Sequence, residues 1–198
     1  MAAAGRPAKF QRDELLDAAL AIVADGGPAA LTLAALARAA GAPTGSIYHR
    51  FPSLDALTSE LWVRTVSRFQ EGFVDAVSAH DDSLEALVAA ALHTPRWSRR
   101  HLAEARLLLL HRHRDLVREA PPDVARQLEA QRVAAMRTFR GLVRRHFGRA
   151  TGRRMAEAWF VVVDVPYGAV RRALVAGKRP PPLVDELVEK TCRALMAR

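Results

Sequence analysis

Apolar positions in this 198-residue chain return every three or four residues, and nowhere do they alternate singly over the length of a strand. The first stripe is Leu15, Leu16, Ala19, Leu20 and Val23, predicting a helix over Arg12–Ala24 that Gly26-Gly27-Pro28 stops. Two short helices follow. Thr32 stands where a hydroxyl can cap the first, Leu33, Leu36 and Ala37 give it a buried face, and Gly41 suits a left-handed stop. Pro43 suits the first turn of the second. Phe51-Pro52 closes that helix, and Ser53 caps a long one running through Leu57, Leu61, Val66, Phe69, Phe73 and Val77 toward His80. Further helices are expected from Asp81-Asp82-Ser83 to near Thr94-Pro95, then over Trp97–Glu119, Asp123–Phe147, Arg154–Ala176 and Leu183–Met196. The fold class is all-α.

The second short helix breaks the rule that the others obey. Thr44, Gly45, Ser46, Tyr48 and His49 surround a single inward residue, Ile47. So little apolar content gains little from packing, so the helix makes sense as one presented to something else. A short helix joined to another by Ala40-Gly41-Ala42 has helix-turn-helix form, which places its second helix in the DNA major groove.

These residues resemble the DNA-binding domain of TetR-family transcriptional repressors. The resemblance rests on the opening helix, Thr32, Ala37, Ala40-Gly41, the run Thr44-Gly45-Ser46-Ile47-Tyr48, and then Phe51, Asp55 and Leu57. It is strong over about the first quarter of the chain; beyond Leu61 it rests on length, helical content and a familiar penultimate helix. Two positions depart from the family pattern. Pro43 stands where many relatives carry a capping Ser, and Leu54 where many carry a Lys that would reach a phosphate. The second departure implies a weaker backbone clamp. The resemblance implies that Thr32 contacts phosphate as well as capping its helix, and that Gly45 lets backbone approach DNA closely. Thr44, Ser46, Tyr48 and His49 carry hydroxyl or imidazole groups that reach phosphates or base edges, and Pro43 opens their helix.

Charge adds less than its total suggests. The net charge is +9, yet residues 1–64 hold six basic and six acidic side chains, so the excess lies wholly in residues 65–198. Of 30 basic residues only Lys9, Lys178 and Lys190 are lysine, a bias that resembles high-GC coding as much as a selected surface. Arg6, Lys9 and Arg12 are better placed, because a basic arm ahead of the first helix can contact phosphates or the minor groove. Residues 1–10 read as that arm.

No apolar run approaches the roughly 20 residues of a membrane span, and the opening residues lack a signal-peptide core. One cysteine, Cys192, rules out an internal disulfide and fits a reducing cytoplasm, as a small buried residue. His111 and His113 are two residues apart, not the four that helical chelation prefers, and no CxxC or HExxH occurs, so no metal is expected. No phosphate loop or nucleophile elbow is visible either; neither an enzyme nor a cofactor is expected.

Trp97, Arg106, His111, Trp159, Asp164 and Tyr167 interrupt otherwise apolar helices. Singly each fits core or solvated face; together they can line a pocket between helices. Pro166-Tyr167-Gly168 inside an apolar helix adds a kink and freed carbonyls. The basic excess and Arg106 point to an effector with an acidic or polar group on an apolar body.

The whole reads as a ligand-responsive DNA-binding regulator: a repressor that a small molecule releases from a palindromic, double-stranded operator. Residues 1–52 would form the DNA-binding domain and residues 53–198 the effector-binding and dimerisation domain. The homodimer would form through 154–176 and 183–196, where Phe160, Val161, Val163, Leu174, Leu187, Val188 and Leu195 exceed what one bundle buries. The alternative is a helical small-molecule-binding module or enzyme without operator function, for which the presented helix would be pointless.

Overall fold

Leu15, Leu16, Ala19 and Val23 close against Leu36, Ile47, Phe51, Leu57 and Leu61 to make the first of three apolar clusters, each of these side chains almost fully buried. In this computed structural model, residues 12–112 and 122–197 are described. Helices α1 (Arg12–Gly26), α2 (Leu33–Ala40) and α3 (Thr44–Arg50) precede the long α4 (Leu54–Ser78). Then come α5 (Ser83–Arg100), α6 (Leu102–Leu110), α7 (Pro122–Phe147), α8 (Gly152–Trp159), α9 (Val165–Val175) and α10 (Leu183–Met196). A single 3-10 turn, Pro28–Ala30, follows α1, and no strand occurs among the described residues.

Local chemistry sets the helix ends where the sequence puts its capping residues. Thr32 Oγ1 accepts from Ala35 N at 3.1 Å, and Ser53 Oγ accepts from Ala56 N at 3.0 Å. Each satisfies an N–H that its helix leaves unpaired. Gly41 stops α2 at φ 60°, ψ 23°, a conformation a side chain would strain. Asp82 caps α5 through two backbone N–H groups, and those bonds hold its carboxyl below the usual carboxylate range.

The first cluster reaches past Pro52: Leu57, Leu61 and Trp62 of α4 and Leu107 of α6 belong to it. The second cluster joins α5, α7, α8 and α10 around Leu87, Phe139, Val143, Val161 and Cys192. A third, small one sets Trp97 and Ala105 against Val170 and Leu174. Helix α6 therefore sits between the N-terminal helices and α9. Leu54, at the position where a Lys would reach phosphate, packs half-buried against the first cluster instead.

Several boundaries differ from expectation. Helix α5 does not end near Thr94-Pro95 but runs to Arg100 with Pro95 inside it. The proline costs one backbone bond, yet Leu92, Thr94, Trp97 and Ser98 around it are buried, and that packing carries the helix through. The expected helix Trp97–Glu119 is broken at His101 (φ −123°, ψ 60°), whose ring lies on Trp97 at 5.4 Å. Helix α6 then stops before His111, and residues 113–119 of the expected helix, with His113, lie outside the described residues. Pro43 is not in the first turn of α3 but caps it from outside.

The expected kink at Pro166 takes a specific form. Between α8 and α9, residues Phe160–Asp164 widen into a π turn, with Val165 N donating to Phe160 O, and the helix continues through the proline. A wider turn accommodates a residue that cannot donate to the turn behind it.

Two histidines are structural. His93 is 5 % exposed and donates from Nε2 to the Phe69 carbonyl at 2.8 Å, which ties α5 to α4. Gly72 makes room for it, since a Cβ there would stand 2.8 Å from His93 Cε1. Burial pushes the His93 pKa down to about 4. His146 lies between Ser83 Oγ at 3.1 Å and the Met196 carbonyl at 2.9 Å. With Nε2 donating to the carbonyl, Nδ1 accepts from the serine, and α10 is held to α5 and α7. Burial raises the Cys192 thiol to about 12, leaving it a small apolar filler.

Candidate nucleic-acid interface and ligand cavity

Helix α3 hangs from Ile47, 3 % exposed, with Ala42 and Phe51 buried on either side of it in sequence. With Pro43 as cap no side chain covers the helix start; the Pro43 carbonyl accepts from Ser46 N at 2.9 Å instead. Thr44, Gly45, Tyr48 and His49 are exposed and Ser46 is half-exposed, so the polar residues share the outer surface. Tyr48 is 54 % exposed, far beyond what packing would leave for a tyrosine. No protein atom lies within 4 Å of where a Gly45 Cβ would stand, so a larger partner can approach its backbone. Thr32 is exposed too; its oxygen is used as a cap, which leaves its hydroxyl hydrogen to donate outward.

Arg12 is spoken for, contrary to its expected place in a basic arm. Its Nε donates to Glu60 at 2.6 Å and its Nη1 to the Arg50 carbonyl at 2.8 Å, while the guanidinium lies 4.2 Å over the Phe51 ring. It fastens the end of α3 to α1 and α4. Arg6 and Lys9 lie outside the described residues.

A second feature lies between α4, α5, α7 and the bulged helix. It is a cavity of about 320 Å³ walled chiefly by Phe69, Phe73, Met136, Phe139, Trp159 and Tyr167. Trp159 meets Phe139 edge-on at 5.6 Å, and both Trp159 and Tyr167 remain partly exposed, at 40 % and 36 %. Eight residues of α-helix overshoot two turns by about 80°. The π turn absorbs most of that excess, so Trp159 and Tyr167 both face the cavity.

The other four expected pocket residues lie elsewhere. Trp97 is 4 % exposed, edge-on to Phe69 at 5.0 Å, and borders a separate polar groove with Arg68, His93 and His101. Arg106 turns toward α1, its Nη1 3.8 Å from Asp25, and Gly177 lies beside it. Asp164 is exposed and His111 follows the last residue of α6; neither borders the cavity. Phe69, Phe73, Thr94, Met136 and Phe139 were missed as pocket residues. Phe69 and Phe73 carried a signal, an aromatic pair at i, i+4, but it is equally the signal of core.

Residues 15–61 match the family model described as bacterial regulatory proteins, tetR family. Those residues carry the TetR family's DNA-binding domain. No curated protein matches it in sequence. Solved structures extend the likeness in fold over nearly the whole chain. The chain is similar to the ketosteroid transcriptional regulator KstR2 of Mycobacterium tuberculosis, at 20 % identity and TM-score 0.71, covering 98 % of this chain and 97 % of that one. It is also similar to a TetR family regulator from Marinobacter aquaeolei, at 16 % identity and TM-score 0.70, covering 93 % and 94 %. A third is the transcriptional regulator FadR from Bacillus subtilis in complex with stearoyl-CoA, at 13 % identity and TM-score 0.66, covering 94 % and 98 %.

Helices α2 and α3 thus form the helix-turn-helix of a TetR-type DNA-binding domain. No described helix is long and apolar enough to cross a membrane. Among the described residues no three His, Cys, Asp or Glu side chains converge as metal ligands.

Proposed function

We propose that the protein is a homodimeric repressor that a small molecule releases from a palindromic operator. The observation that carries the reading is the bare polar surface of α3, whose one buried side chain is Ile47 and whose end Arg12 fastens to a buried frame. Thr44, Gly45, Ser46, Tyr48 and His49 would meet the major groove, with Pro43 at the helix entry, Thr32 on an adjoining phosphate, and Arg6 and Lys9 on the backbone or minor groove. The DNA-binding part would be residues 1–52 in chain order, although its core borrows Leu57, Leu61 and Leu107.

Dimerisation would use 154–176 and 183–196. Phe160, Val175, Leu183, Leu187 and Leu195 are each more than half exposed there, an apolar surface that a second copy would cover. The sequence grouped Phe160, Leu187 and Leu195 with Val161, Leu174 and Val188, which instead fill the chain's own core, and it did not name Val175 or Leu183. Two recognition helices would then sit roughly 34–36 Å apart, matching successive major grooves.

The cavity would hold the effector. Its wall includes the bulged helix that also carries Phe160, so a ligand between Trp159 and Tyr167 touches the proposed dimer surface directly. Helix α6, packed on both α1 and α9, gives a second route to the DNA-binding helices. A ligand favours release only by binding better to a conformer whose α3 pair no longer fits the operator. A ketosteroid regulator and a FadR structure holding stearoyl-CoA share the fold, which supports an effector with a large apolar body. The test is a titration of the purified protein against DNA flanking its own gene, with footprinting. Protection of a palindrome supports the reading; salt-sensitive binding without sequence preference overturns it.

A further inference from the structure

Thr94 differs from three other helical threonines of this chain. Thr58, Thr65 and Thr191 turn their hydroxyls back onto the carbonyl four residues earlier, at 3.0, 2.9 and 2.8 Å. Thr94 is 8 % exposed and borders the cavity, and its hydroxyl makes no hydrogen bond to any described residue. A hydroxyl that opens onto a cavity without a protein partner is free to bond what enters there. The remaining polar side chains on the wall are Gln70, Tyr167 and Arg132. Gln70 and Tyr167 have no hydrogen-bond partner among the described residues. Arg132 is the one cation among the described wall residues, and Glu129 holds it as a fork, at 2.7 and 2.6 Å. The described residues of the wall therefore offer neutral donors and acceptors, and their one charge is already paired.

We propose that the ligand of this cavity is uncharged: an apolar ring or chain body carrying one hydroxyl or carbonyl group, which bonds Thr94, with Gln70 and Tyr167 as further partners. This rests on the cavity's being the effector site, and it replaces the acidic group that Arg106 and His111 suggested from sequence. A carboxylate entering here would lose its hydration and, among the described residues, meet no free counter-charge. The rings of Phe69, Phe73, Phe139 and Trp159 take the apolar body.

The test uses the full chain at pH 7 with four probes of one shape: naphthalene, 2-naphthol, 2-naphthoate and 2-naphthylmethylamine. Calorimetry gives the affinity of each probe. 2-Naphthol is expected to bind at least about tenfold more tightly than either charged probe. Thr94→Val, which keeps the shape, should weaken 2-naphthol about fivefold and leave naphthalene unchanged. Ala135→Trp, which fills the cavity from α7, should abolish binding of both. Equal or tighter binding of 2-naphthoate overturns the proposal. So does a Thr94→Val effect that is the same for naphthalene and 2-naphthol, or a panel in which nothing binds. Operator release is measured separately. 2-Naphthol that binds without releasing operator supports the ligand class and defeats the effector reading. Release by 2-naphthoate with tighter binding does the reverse.

Discussion

The tip of α3 and the cavity behind α4 are built on opposite plans. The tip is seven consecutive residues, all but Ile47 turned to some degree outward, and its chemistry can be read off one stretch of chain. The cavity is assembled from α4, α5, α7 and the bulged helix, none of which carries more than a few of its residues. Its walls are the same Phe, Met, Val and Trp that build a core. A contiguous site announces itself by breaking the apolar pattern; a dispersed apolar site obeys it.

The comparison breaks most easily at Ile47. If α3 hangs from that one side chain, Ile47→Ala should cost about 3 kcal/mol of stability. Operator affinity should fall further than unfolding alone explains, because the helix is no longer held in one orientation. Urea unfolding and operator titration check this. Wild-type affinity in the folded variant would show that α3 is fixed by other contacts.

Leu187→Asp probes the other end of the chain. Leu187 is 53 % exposed on α10, so the charge should leave the protomer folded while opposing a second copy. Loss of the dimer removes one of two linked operator contacts, and affinity should drop about 100-fold. Sedimentation and the same titration report both effects. A variant that stays dimeric would place the interface on another surface.

These two sites also mark how far the sequence could be read. All-α architecture, the caps Thr32 and Ser53, the stop at Gly41 and the limits of α10 follow from local rules that packing did not override. Pro95 and His101 show where tertiary packing won, carrying one helix past a proline and breaking another without one. Of the residues that border the cavity, Trp159 and Tyr167 stood out in sequence as interruptions of an apolar helix, whereas Phe69 and Phe73 could not be told from core. Arg106 misled: a buried-looking arginine on an apolar helix was serving Asp25 on α1. Charge composition names no partner for a given side chain.

His93 offers a smaller contrast, between a polar group that packing silences and those that α3 presents. Its folded pKa of about 4 lies below the ordinary 6.5, so the unfolded chain binds more protons between those values. The stability that neutral His93 allows is complete above pH 6.5 and is lost as pH falls toward 4. At pH 5 the loss is about 2 kcal/mol. His93→Gln keeps a donor for the Phe69 carbonyl without a titrating ring, so this part of the acid sensitivity should vanish. Glu85 and Glu157, held below the usual carboxylate range by Arg193 and by Arg153 with Arg154, contribute only at lower pH. Unfolding midpoints of both proteins between pH 7 and 5 decide it; parallel curves would show that His93 is not the group that titrates.

The smallest expected effect is the sharpest test of the tip. Tyr48 is 54 % exposed and buries too little to matter for the core, so Tyr48→Phe removes only an outward hydroxyl. If that hydroxyl donates to a phosphate oxygen, its loss should weaken operator binding by about 1 kcal/mol. The loss should be nearly equal for operators with changed bases, because phosphate contacts position the protein without reading sequence. A hydroxyl carries no charge, so it displaces no counterion, and the salt dependence of binding should keep its slope. A base-edge contact predicts otherwise: a loss confined to the operator whose contacted base is retained, and none once that base is changed. Affinities of the two proteins for the operator and its single-base variants, each at two salt concentrations, separate these outcomes. Unchanged affinity throughout, with the fold intact, would remove Tyr48 from the interface and leave His49 and the Thr44–Ser46 turn to carry it.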